Sequence, residues 1–142
     1  MVSAVERRRQ DLQAHAQLYQ QRANNVTTRR AELRQEADRL RQRAVIADGV
    51  RRLLQRTGRG YIDAGFIDRG TSMLDAAAVS ENNRFNFETA RGELADQISI
   101  ADSDISRLTR RAQEFAMRAT IARQHQLLLA CKIPRAHTAA AA

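Results

Sequence analysis

The side chains with the most chemical capacity in this chain are its arginines. Of 24 basic residues 23 are Arg, and the remaining one is Lys132. Against 16 acidic residues they leave a formal net charge of +8 and a pI near 11.2. A guanidinium is planar, permanently charged, and presents a fork of donors that fits the oxygens of a carboxylate or phosphate two at a time. The chemistry favoured is recognition of acidic surfaces, and the partners such a charge suits are nucleic acid, an anionic membrane or an acidic protein.

Bond-making chemistry has no comparable constellation. His15, His125 and His137 lack the spacing that sets two imidazoles on one metal. The single cysteine, Cys131, permits no disulfide within the chain and fits a reducing compartment. No Ser or Cys has a base placed to activate it. Gly58-Arg59-Gly60 lacks the Gly-Lys-Ser/Thr of a phosphate loop and has no strand before it. Asp63 and Asp68 have too few acidic neighbours to hold calcium. The expectation is no enzyme, no metal and no cofactor.

What positions the arginines is a pair of helices. At 142 residues, with 4% aromatics and no Trp, the chain suits one domain without a large globular core. Ser3 to Glu6 reads as a capping box, in which the Ser oxygen takes an early orphan amide. From there Val5, Leu12, Tyr19, Val26, Leu33, Leu40, Ala47 and Leu54 recur every seven residues. Four residues after each of the first seven come Arg9, Ala16, Ala23, Arg30, Ala37, Ala44 and Arg51. Those two rows are the seam of a coiled coil. One row is mostly Ala, so the seam is thin, and its three Arg must snorkel or find acids. A second seam runs through Phe87, Leu94, Ala101, Leu108, Phe115, Ala122 and Leu129, with Ile98, Ile105, Ala112, Ala119 and Gln126.

Between the helices, Gly58 to Gly70 holds four of the six glycines and the paired pentads YIDAG and FIDRG. The expected fold is therefore all-α: a long antiparallel two-helix coiled-coil hairpin. Helix 3–56 is capped at Thr57-Gly58, a Gly-rich turn spans 57–71, and helix 72–132 opens on a second capping signal at Ser72 and Asp75. Ser80-Glu81-Asn82-Asn83 either interrupts that helix near 80–84 or leaves it whole. Pro134 stops it, and 134–142 form a disordered tail. The N-terminus has no apolar signal core, and no stretch approaches the roughly 18 apolar residues of a membrane span. The protein is expected in the cytoplasm, or secreted without a cleavable signal.

Charge supports the hairpin. Residues 23–56 carry nine basic and four acidic residues, and residues 71–106 carry two and seven. Folding the chain near residue 64 lays these opposite charges side by side and leaves the basic excess at the open end. Arg7, Arg8, Arg9, Arg107, Arg110, Arg111, Arg118 and Arg123 gather there. They form either a surface for an acidic partner or nucleic acid, or a solvated face that keeps the chain in solution. At the turn, Tyr61, Ile62, Phe66 and Ile67 either fold over the hairpin end or offer a contact patch to another subunit. Because the seam is thin, association through the outer faces is expected.

A basic chain of this length, folded as one antiparallel coiled-coil hairpin, resembles the stalk proteins of bacterial flagellar and type III secretion export. The stretch Gln113-Glu114-Phe115-Ala116-Met117-Arg118-Ala119 is similar to the C-terminal part of such proteins. The resemblance implies a bacterial, non-enzymatic coiled-coil subunit that sits within an export ATPase ring and contacts the export gate. Helical-hairpin subunits of secretion needles and filaments share the look and imply polymerisation. The rival expectation is a nucleoid or packaging protein that binds DNA phosphates without sequence preference.

Overall fold

The computed structural model describes residues 3–131. Two helices, α1 (Ala4–Asp63) and α2 (Ile67–Ala141), pack against each other in a hairpin, with no strand among the described residues. The expected helix end at 132 and the tail over 134–142 lie outside the described residues. By packing the chain divides into a terminal unit, Met1–Thr28 with Ala101–Ala142, and a turn unit, Arg29–Ile100.

The heptad rows are the buried rows. Every seam position expected from Val5 to Leu54, and from Phe87 to Gln126, is buried or half-buried; only Leu129, last in its row, is exposed. Among the described residues the buried apolar side chains are four Leu and six Ala. No large side chain is fully enclosed among the described residues. At the start of α1 the amide of Glu6 donates to Ser3 Oγ at 3.1 Å, and the amide of Arg7 to the Ser3 carbonyl at 3.0 Å, so Ser3 is the N-cap.

In the turn unit the expected boundaries move. The turn is not 57–71 but the three residues between Asp63 and Ile67. Thr57 and Gly58 do not cap α1, Ser72 and Asp75 lie inside α2, and the chain stays helical through 80–84. Gly65 takes the cap instead, at φ +92°. Its amide donates to the Ile62 carbonyl at 3.0 Å, and that of Phe66 to the Tyr61 carbonyl at 2.8 Å. This double bond pattern closes a helix on a left-handed glycine. The accompanying apolar contact is present too, since Phe66 meets Tyr61 edge to face at 6.1 Å. Phe66 then accepts the first bond of α2, from the Gly70 amide at 3.0 Å.

Gly58 and Gly70 serve the seam instead of the turn. Both are buried, and each stands where a Cβ would strike the other helix. A methyl at Gly58 would sit 3.0 Å from the Gly70 carbonyl oxygen. One at Gly70 would lie 2.6 Å from the Gly58 carbonyl oxygen and run into the Ile62 side chain. The backbones cross in contact, and only glycine permits it. The seam then continues through Met73 and Ala77.

Beyond the crossing, the seam arginine Arg51 finds acids on both helices. It reaches Asp48 at 2.7 Å and, across the seam, Glu81 at 3.0 Å. Arg52 adds to Asp48 at 3.0 Å, while Arg84 binds Glu81 and also Glu88 at 3.1 Å. The bond from Arg51 holds the Asp48 carboxyl below its ordinary range, and the bond from Arg84 does so for Glu81. A carboxyl whose folded pKa is depressed stabilises the fold above its unfolded pKa of about 4 and loses that contribution as pH falls through the folded value. The urea midpoint should therefore drop as pH is lowered from about 5 toward 3. Glu81→Gln should flatten that dependence; an unchanged pH profile in Glu81→Gln would remove the network from the account.

Candidate basic groove

The terminal unit holds 11 basic residues against 5 acidic ones, for +6, and the turn unit the remaining +2. The excess is thus concentrated toward the chain ends, though not wholly there. Two faces of the helices give it form. Arg8, His15 and Arg22 fall seven residues apart on the flank of the α1 seam, and Arg111, Arg118 and His125 do the same on α2. In an antiparallel pair these like flanks face each other, so the rows meet along one edge.

Where they meet, an open groove of about 650 Å³ forms, with Arg7, Arg8, His15 and Arg118 on its rim, Asp11 beside them, and Leu12 and Phe115 beneath. A second groove of about 380 Å³ shares Arg8, Leu12 and Arg118 and continues over Val5 and Ile121 to His125. The combined surface is an apolar floor with a cationic rim.

Aromatic rings brace that rim. Tyr19 stacks on Phe115, centroids 5.5 Å apart and planes 8° from parallel, and His15 tilts against the same ring at 5.2 Å. The Arg118 guanidinium lies 5.4 Å from the Phe115 centroid, and that of Arg22 5.7 Å from the Tyr19 centroid. Such cation–π placement holds a guanidinium plane while its N–H fork stays open to a partner. His15 Nδ1 donates to the Asp11 carbonyl at 2.9 Å; a carbonyl only accepts, so the ring hydrogen sits on Nδ1 and Nε2 is an acceptor when the ring is neutral.

Of the arginines expected at this end, the groove gathers Arg7, Arg8 and Arg118. Arg9 is half-buried in the seam, with its Nε enclosed and lacking a hydrogen-bond partner among the described residues. Arg107 pairs with Asp104 at 3.5 Å, and Arg110, Arg111 and Arg123 are exposed on α2 outside the groove. His15, Tyr19, Phe115 and His125 were not expected here. Their signal was the spacing of seven that sets both histidines in line with arginines.

The turn patch divides. Tyr61 and Ile62 are half-buried, Ile62 against Gly70 and Tyr61 beneath Phe66 and Arg69. Phe66 and Ile67 remain exposed, at 57% and 62%. Among the described residues no cluster of three His, Cys, Asp or Glu could hold a metal, and no helix is long and apolar enough to cross a membrane. The chain matches no family model, no curated protein and no solved structure.

Proposed function

We propose that the protein is a non-enzymatic coiled-coil subunit of a larger assembly, and that its terminal unit grips an acidic amphipathic helix of a partner protein. The observation that carries this reading is the convergence of Arg7, Arg8 and Arg118 over an apolar floor. A helix laid in such a groove places its apolar residues on the floor and its carboxylates against the guanidinium forks. Phosphate backbones have no use for Leu12, Val5 and Ile121. A bacterial secretion apparatus or filament is the setting that the resemblance suggests. The second reading, non-specific DNA binding, is favoured by the +6 of the terminal unit.

The test is a fluorescence titration with a synthetic Leu/Glu amphipathic peptide and, in parallel, with duplex DNA across salt. Arg8→Glu with Arg118→Glu should weaken peptide binding by about tenfold or more while leaving the helical circular dichroism unchanged. Replacing Arg107, Arg110 and Arg111 by Ala should weaken it less and flatten its salt dependence, because these residues lie outside the groove. Peptide binding that survives Arg8→Glu/Arg118→Glu would overturn the reading. Length-dependent DNA retention that collapses with salt would replace it with the second.

A further inference from the structure

The two flanks of the seam in the turn unit differ. One carries the ionic network of Asp48, Glu81 and Glu88, with single exposed apolar residues, Val45 and Phe85, at its outer edge. The other carries Ile46, Val50 and Leu53 on α1, exposed at 64%, 41% and 62%, and Val79 on α2 at 59%. A two-helix coil needs apolar residues only at its seam; an apolar flank beyond the seam is the pattern of a helix facing a further layer of a bundle. Gly49 lies in the midst of this flank, exposed, with nothing within 4 Å of where its Cβ would stand. Glycine weakens an exposed helix interior, and nothing in its own chain needs the space. A helix from outside would.

Charge indicates which helix. On this flank α1 carries Arg39, Arg43 and Arg56 against one acid, Glu36, from 35 to 60. On the same flank α2 carries Asp75, Glu93 and Asp96 from 72 to 97, with no base. All seven are exposed, and among the described residues none makes an ion pair within its own chain. The surface is basic on one helix and acidic on the other, so it complements itself.

We infer that the turn units of two copies pair across this flank as a four-helix bundle, with α1 of each copy antiparallel to α2 of the other. The inference rests on reading the protein as an assembly subunit. A twofold axis along the helices keeps each residue at its own level. Arg51 stands level with Glu81 and Gly58 with Gly70. The same count sets Arg56 near Asp75 and Arg39 near Glu93 of the second copy, with the four apolar residues between. A twofold axis across the helices would instead lay α1 on α1 and Arg on Arg. Charge selects the first arrangement, as flanking charges select orientation in coiled coils.

Sedimentation over a micromolar concentration series tests this. The unaltered chain should dimerise. Arg39→Glu/Arg43→Glu should weaken dimerisation by about tenfold or more, as should Glu93→Arg/Asp96→Arg, each remaining helical. Mixing the two variants should restore a dimer, because one contact then pairs reversed charges with reversed ones and the other pairs native charges with native ones. A chain that stays monomeric throughout, variants that self-associate like the parent, or a mixture that fails to pair would each overturn the inference. The groove variant Arg8→Glu/Arg118→Glu should dimerise normally, so failure here is distinguishable from failure of the partner site.

Discussion

Replacing Gly70 by Ala should destabilise the hairpin by about 2–3 kcal/mol, a large cost for one methyl group. The methyl would stand 2.6 Å from the Gly58 carbonyl oxygen and would also meet the Ile62 side chain and, at 3.1 Å, its backbone nitrogen. Two of those three neighbours are backbone atoms of α1, which cannot rotate away, so the helices must separate where they cross. The measurement is the urea midpoint followed by helical circular dichroism. Gly60→Ala is the matched control. Gly60 is exposed within α1 with nothing within 4 Å, so Ala there should raise stability by about 0.5–1 kcal/mol. Equal effects at the two sites would show that glycine acts here through helix propensity and not through close packing.

That pair of outcomes bears on what was legible in the sequence. The seam was legible because each helix must present one stripe to its partner, and a stripe on a helix has a fixed period. The turn was misjudged because glycine answers two different needs, positive φ and close approach. Gly58 and Gly65 both continue the row of Arg51 at intervals of seven, so spacing alone does not say which one turns the chain. What distinguishes Gly65 is the residue after it: Phe66 reaches back onto Tyr61, which an aromatic at that place can do and a small residue cannot. The pentads YIDAG and FIDRG thus serve different ends, the first closing α1 and the second opening α2 with a glycine at the crossing. In the groove, the rows of Arg8 and Arg118 were readable, but the stack of Tyr19 on Phe115 depends on which levels of the two helices meet. No pattern within either helix encodes that level.

Leu33→Ala should cost about 2–5 kcal/mol, enough to remove much of the stability of a hairpin with so few large buried side chains. Leu33 is 3% exposed and, among the described residues, is one of four leucines in the buried apolar set, the other six members being Ala. Truncation leaves a void that flanking alanines are too short to fill, and neither helix can collapse across it without disturbing the seam above and below. Leu53 provides the contrast. It is the same residue type on the same helix but is 62% exposed, on the flank assigned to a second copy. In dilute solution Leu53→Ala should change unfolding by no more than about 0.5 kcal/mol. At higher concentration the two chains should part: a dimer stabilises its folded subunits by mass action, so the parent midpoint should rise with protein concentration while that of Leu53→Ala rises less. A concentration-independent midpoint in the parent would return Leu53 to the ordinary class of solvent-exposed leucines and leave the thin alanine seam to hold the hairpin alone.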